Sequence, residues 1–258
     1  MIDQRTAPYA AFLLRFALGT MFVAHALLKY YVFTLPGTVK FFESLGFQSI
    51  PVNDSLAHPY LVCFDGAIAV GLHERPQGGP QLTFVRPRLR DSVRPLRRLG
   101  VALTYEHLAD NEFHLAGFCD PGGHEAVLVE ARTFPPGEWD ARKVAICGEF
   151  LEITLPALQL DEACRFWQAL GLTTHASGEA PHRWRRLVGF GLTLGLHETH
   201  CAAGLSFRCE GLQARLEYLR AKGLAARAGT PLADRGQASA TLTAPGGTQL
   251  YLFEQGAQ

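Results

Sequence analysis

The chain has 258 residues, room for one large domain or two of ordinary size. Apolar residues make up 48% and charged residues 19%, which supplies a core and excludes wholesale disorder. Lysine plus arginine equals aspartate plus glutamate at 24 each, so charge gives no reason to propose nucleic acid as a partner.

The first predicted element is a helix. Residues 10–33 read AAFLLRFALGTMFVAHALLKYYVF, long enough to span a bilayer. Arg15, His25 and Lys29 fall inside it, and a charge near the bilayer centre is costly. The stretch is too long for a signal peptide, and no small-residue cleavage site follows. Whether lipid or protein covers this helix stays open. The stretch LLRFALGTMFVAHALLKYYVFTLPGTVKFFESLGF resembles the first transmembrane helix and following loop of the DoxX family of small membrane proteins. The resemblance covers only about residues 8–47, because no other stretch reaches the ~20 apolar residues a further span needs. It implies a DoxX-like fragment joined to something else, with membrane contact through residues 8–33. The rest of the chain is expected in the cytoplasm.

Beyond that helix the chain repeats itself. GLHE at Gly71 recurs at Gly195, 124 residues on. LTFVRPRLRDSVRPLRRLG from Leu82 is matched by LSFRCEGLQARLEYLRAKG from Leu205, 123 residues on. DPGGHEAVLVEA from Asp120 is matched by APGGTQLYLFEQ from Ala244, again 124 residues on. Landmarks at one spacing mark a tandem duplication. Each copy divides again. HPYLVCFDGAIAVGLHE reads as two strands around Asp65-Gly66, and FHLAGFCDPGGHEAVLVEA as two strands around Asp-Pro-Gly-Gly. LEITLPALQLDEACRFWQALGL opens on an alternating stretch. It continues with Ala163, Phe166, Trp167 and Leu170 at helical spacing, ending at Gly171. Leu212, Leu216 and Leu219 repeat that plan, ending at Gly223. The arginine-dense RPRLRDSVRPLRRLG reads as a solvated helix face. The unit is strand, helix, then three strands, and it occurs four times. The six cysteines form no C-x-x-C pair and match no zinc spacing, so reduced, mostly buried thiols are expected.

Over about residues 30–256 this pattern resembles the vicinal oxygen chelate superfamily, which includes glyoxalase I, bleomycin-resistance proteins and extradiol dioxygenases. EITLP leading to FWQALGL, and the DPGG turn before a final strand, are its most specific marks. The resemblance implies an α+β fold, with four βαβββ modules forming two domains with cupped mixed sheets, preceded by the N-terminal hydrophobic helix. The expected divisions are residues 1–33 for that helix, 34–132 for the first domain, 133–148 for a proline-bearing linker and 149–258 for the second domain. The opening strand of the first module, at YYVFTLP, is expected to be damaged or replaced. The spacing from TLP to LG is shorter there than in the third module.

Enzymes of this superfamily hold a divalent metal with His and Glu from the first and last strands of each module. The matching positions are about Tyr30, Gly71, Gln81 and Val127 in the first cup, and Phe150, Gly195, Gly204 and Tyr251 in the second. None is His or Glu, so no metal or other cofactor is expected. Glyoxalase and dioxygenase chemistry, which use the metal as Lewis acid or oxygen-binding centre, lose their basis with it. Strand alternation puts His73 on the face of Gly71 and His197 on the face of Gly195, with Glu74 and Glu198 pointing away. Glu125 shares a face with Val127, and Gln249 with Tyr251; Glu152, Ser206 and Arg208 also point inward. The candidate ligand-binding residues are therefore His73, Glu125, Glu152, His197, Arg208, Gln249 and Tyr251. Glu152 and Arg208 can equally pair with each other across the sheet. Gly71, Gly195 and Gly204 leave room for a ligand or for close strand packing. His124 is expected to face outward.

Three readings follow. In the first, a small organic molecule sits in an apolar cup with a few polar contacts, as in the bleomycin-resistance branch. In the second, a lyase, isomerase or dioxygenase uses zinc, nickel, manganese or iron held by displaced ligands, His73 with Glu125 or His197 with Glu152. In the third, residues 8–33 anchor the chain to the inner membrane. A homodimer is compatible with each.

Overall fold

The computed structural model describes residues 13, 15–18, 20–21, 34–50, 58–74, 80–130, 145–234 and 236–255. The first unit starts with helix α1 (Leu35–Ser44), whose N-cap Thr34 accepts the Gly37 N–H at 3.3 Å and which carries proline in its first turn. A meander of β1 (Gln48–Ile50), β2 (Tyr60–Phe64) and β3 (Ala69–His73) follows. The predicted hairpin turn forms as read. Asp65 Oδ1 accepts the Ala67 and Ile68 N–H groups at 2.9 and 2.8 Å, and Gly66 takes φ 102°.

The second unit has β4 (Leu82–Arg86), α2 (Leu89–Arg98), β5 (Leu103–His107), β6 (Leu115–Cys119) and β7 (Glu125–Glu130), in sheet order β4-β7-β6-β5. Helix α2 buries Leu89, Val93 and Leu96 and turns its arginines to solvent, where Arg90 meets Asp110 and Arg97 meets Glu106. The third unit has β8 (Glu149–Pro156), α3 (Leu160–Ala169), β9 (Thr173–Gly178), β10 (Trp184–Gly189) and β11 (Leu192–His197). The fourth has β12 (Gly204–Cys209), α4 (Leu212–Ala221), β13 (Arg227–Ala228), β14 (Ser239–Thr243) and β15 (Gln249–Glu254). These two units share one eight-stranded sheet in the order β13-β14-β15-β12-β8-β11-β10-β9, with β8 and β12 antiparallel at its centre.

Duplication is visible in single hydrogen bonds. Neither α2 nor α4 has a side-chain N-cap of its own. Instead Glu130 at the end of β7 accepts the Leu89 N–H at 2.8 Å, and Glu254 at the end of β15 accepts the Gly211 and Leu212 N–H groups at 2.9 and 2.6 Å.

In the first half the sheet divides into β1-β2-β3 and β4-β7-β6-β5. The counterpart of β8 would join them. Its predicted position reaches residues 30–33, outside the described residues, and the Thr34-Leu35-Pro36 of the same predicted strand caps and starts α1.

Two cores cross between the halves. Phe42, Leu45 and Phe47 of the first unit pack with Phe207, Leu219 and Leu252 of the fourth, with the Phe47 and Phe207 rings 6.4 Å apart. Phe84 and Phe118 of the second unit pack with Trp167 and Leu187 of the third. The end of the predicted linker belongs to the first core. Ala145 and Cys147 are buried, the Ile146 N–H donates to Leu45 O at 2.8 Å, and Arg215 donates to Ile146 O at 2.7 Å. All six cysteines are free; Cys63, Cys147 and Cys209 are buried, while Cys119, Cys164 and Cys201 are half-buried, so burial is less general than expected.

Most of the predicted N-terminal helix lies outside the described residues. Residues 13, 15–18, 20 and 21 are helical, with Leu13, Phe16 and Met21 exposed. Among the described residues no helix is long and apolar enough to cross a membrane.

Candidate functional site in the second cup

Strand alternation gives the eight-stranded sheet two chemically different faces. Leu205, Phe207, Leu250 and Leu252 enter the first core with α4, while Leu155, Leu194 and Leu196 enter the second core with α3. The opposite, concave face carries Glu152, Thr154, His197, Ser206 and Thr241, all buried polar side chains.

One irregularity decides which β8 residues reach that face. Across β8 and β12, Ser206 opposes Glu152 but Phe207 opposes Phe150, so Leu151 is an extra residue in a bulge. The bulge turns Phe150 to the helix side, 5.8 Å from the Phe207 ring. The predicted inward Phe150 is thereby corrected. The same register places Arg208 opposite Glu149 at the exposed rim. Arg208 is neither Glu152's partner nor part of the buried cluster.

Glu152 is 2% exposed and His197 is 7% exposed. Glu152 Oε1 lies 2.6 Å from His197 Nε2, and Oε2 accepts from Arg186 Nε at 2.7 Å. The carboxylate lies over Gly195, where a Cβ would overlap its Oε1. The space that the sequence left for a ligand at Gly195 is thus filled from within the sheet. Gly195→Ala is expected to expel the carboxylate and cost about 3 kcal/mol in chemical denaturation, as breaking a buried ion pair does. The matching Gly71→Ala meets His73 Nε2 at 3.2 Å, and is expected to cost less than about 1 kcal/mol.

From His197 the network runs outward. Its Nδ1 is 2.9 Å from Nε2 of half-buried His182, and the Trp184 ring stacks on it at 6.5 Å. The first cup repeats the arrangement. His73 Nδ1 is 2.9 Å from His58 Nε2, with Tyr60 stacked on His73 at 5.6 Å. His58 and His182, Tyr60 and Trp184, and His73 and His197 each stand 124 apart. Sequence reasoning missed His58, His182 and Arg186. A signal was present in HPY and HRW, each preceding its GLHE at the same spacing.

Burial alone would raise the Glu152 carboxyl, but the hydrogen bonds and charges of His197 and Arg186 outweigh it and hold its pKa below the usual 4.5. An ionised Glu152 only accepts, so His197 Nε2 carries a hydrogen. His182 Nε2 is bound to His197 Nδ1, which leaves Nδ1 as the remaining ring nitrogen of His182. Burial, then the neighbouring His197, lowers the His182 pKa from 6.5.

Acid is expected to weaken the fold in two windows. Between the lowered His182 value and 6.5 the unfolded chain holds more protons, so stability falls as pH drops below 6.5. The Glu152 contribution is complete above the unfolded carboxyl value of 4.5 and is lost as pH falls through its lower folded value. Denaturation midpoints against pH for the native chain and for His182→Asn test this. The variant should lack only the upper step.

Around the network, Thr154 Oγ1 and Ser206 Oγ bond each other at 2.5 Å, and Tyr251 donates to Ala202 O at 2.8 Å. Burial pushes the Tyr251 phenol up to about 12. Burial, followed by the Glu152 charge, pushes the Cys201 thiol up to about 11. Leu232 packs on Tyr251 and Phe253. Beside them opens a cleft of ≈ 450 Å³ lined by His200, Cys201, Arg227, Thr241, Gln249 and Tyr251. Gln249 is at its exposed edge, held by Thr243 and Gly247 O at 3.0 Å. Gly204 serves close packing, since a Cβ there would strike Gln249 O.

In the first cup, Glu125 is exposed at the start of β7 and accepts from Gln81 at 3.2 Å. His73 lies on β3, in the other sheet. His124, predicted to face outward, folds onto the buried Asp120 at 3.0 Å, which also accepts from Trp167 Nε1 at 3.3 Å.

The second cup does not fit a divalent metal. Phe150 has turned away, Gly195 is covered, Gly204 faces backbone, and Tyr251 is a neutral phenol held by a carbonyl. Both Glu152 oxygens are occupied, one by a guanidinium. Among the described residues no three His, Cys, Asp or Glu side chains are grouped to hold a metal ion.

No family profile and no curated protein matches the chain. Solved structures do. A 2,3-dioxygenase from a Pseudomonas species is similar at TM-score 0.54 and 16% identity, covering 83% of this chain and 85% of that one. A variant of homoprotocatechuate 2,3-dioxygenase from Brevibacterium fuscum is similar at TM-score 0.56 and 9% identity, covering 86% and 68%. A variant of 4-hydroxymandelate synthase from Streptomyces coelicolor is similar at TM-score 0.51 and 15% identity, covering 88% and 91%.

Proposed function

We propose, from the premise that the chain carries the vicinal oxygen chelate fold, that its second cup binds a small organic molecule through protein groups alone, without a chelated metal. The observation that carries this reading is the Glu152 carboxylate, buried and shared between Arg186 and His197 where a metal-binding cup needs a free donor. A divalent ion there would compete with a guanidinium already in contact with the carboxylate. Thr241 and Tyr251 of the concave face also line the open cleft beside the network, which supports the reading by offering a small ligand room and polar contacts. The same geometry speaks against chemistry on a metal held by His197 and Glu152.

Thermal unfolding of the full chain tests the reading. With zinc, nickel, manganese or iron(II) added, or with a chelator, the melting temperature should not move. In a panel of small phenols, aromatic acids and amides, at least one member should raise it by mass action. A rise with metal that Glu152→Gln abolishes, or no rise with any panel member, would overturn it.

A further inference from the structure

Resting on the reading of the second cup as a small-molecule site, we infer that its ligand is a carboxylate, gripped by the two terminal nitrogens of Arg186 and accompanied by uptake of one proton onto His182.

Arg186 is held in an unusual way. Its Nε is bound to Glu152 and its guanidinium lies 5.4 Å over the Trp184 ring. Those two contacts fix the plane of the fork. Nη1 and Nη2 have no partner among the described residues, and the side chain is 18% exposed. A guanidinium so held presents two parallel donors, the geometry that a carboxylate accepts. A neutral ligand would use the same donors less strongly.

The charge balance supplies the second half of the inference. Glu152 and Arg186 together carry no net charge. A bound carboxylate therefore adds one negative charge that the Glu152–Arg186 pair does not balance, in a place where charge interactions are stronger than in water. A group in the same network able to cancel it is His182. His182 Nδ1 has no partner among the described residues, and its Nε2 is tied to His197. Asp234 and Glu198 also face His182 and favour its charged form, and Glu198 is itself paired with Arg183 at 3.2 Å. Cys201 and Tyr251 stay neutral and give up no proton, and His200 and the cationic Arg227 line the cleft beside them. The proton comes from solvent, and no bond in the ligand is broken.

Calorimetric titration of the full chain with benzoate, with its uncharged isostere benzamide and with inorganic phosphate tests this, in buffers of different ionisation enthalpy. Benzoate should bind about tenfold more tightly than benzamide, with close to one proton taken up per benzoate bound. Arg186→Lys keeps a cation beside Glu152 but loses the fork, and should bring benzoate down to the benzamide level. His182→Asn should keep benzoate binding and lose the proton uptake. Equal binding of benzoate and benzamide would overturn the carboxylate inference and leave the small-molecule reading standing. Tighter binding of phosphate than of benzoate would overturn the carboxylate class. Benzoate bound without proton uptake would overturn the role of His182. Binding of none of the three at millimolar concentration would overturn the carboxylate inference, while the small-molecule reading falls only if the whole thermal panel also fails.

Discussion

Glu152→Gln is expected to cost about 3–5 kcal/mol of folding stability, far more than an average polar substitution. The isosteric amide keeps the shape of the side chain over Gly195. It removes the charge that Arg186 Nε and His197 Nε2 share at 2.7 and 2.6 Å. The guanidinium is then left without its counterion on a largely buried face, which is the costly half of breaking a buried pair. A double variant separates this from lost packing. Glu152→Met with Arg186→Leu removes both charges together, and should recover most of the lost stability because neither partner is stranded. Urea denaturation of the two variants and the native chain measures both quantities. Equal losses in the single and double variants would mean that shape rather than charge holds this part of the cup.

Trp167→Ala should be as damaging, at about 3–5 kcal/mol, for a different reason. Trp167 is fully buried, and its ring lies 5.9 Å from Phe84, 6.3 Å from Phe118 and 5.4 Å from Phe166. It thus belongs to the third unit but packs against the second, and its indole N–H reaches Asp120 in the turn between β6 and β7. Alanine leaves a cavity at that junction and withdraws one of Asp120's donors. Trp167→Phe refills most of the space and should cost roughly half as much. The remaining loss reports the indole bond to Asp120, which His124 continues to satisfy from the other side.

Local pattern carried much of the fold. Helical spacing placed Ala163 and Trp167 on the buried side of α3, and Gly171 takes φ 102° just past its end, as its position after the helix implied. Asp65-Gly66 and Asp-Pro-Gly-Gly each made the hairpin their turn chemistry demanded. The alternation that put Glu152 and His197 on one face also held. It failed two residues earlier at Phe150. A bulge at Leu151 depends on how β8 meets β12, and nothing in Phe150-Leu151-Glu152 marks it. Arg186 was missed for a related reason. Its partner is 34 residues away on another strand, and only the sheet order brings the two together. The crossing of the cores, first unit with fourth and second with third, is likewise a long-range result that no window of sequence displays.

The central claim is that the second cup uses its own charges instead of a metal. Elemental analysis of the full chain tests it most directly, after growth with added zinc, nickel, manganese and iron, alongside Glu152→Gln prepared the same way. The expected result is metal well below one ion per chain in both. One ion per chain in the native protein, lost in Glu152→Gln, would contradict it and make Glu152 a ligand.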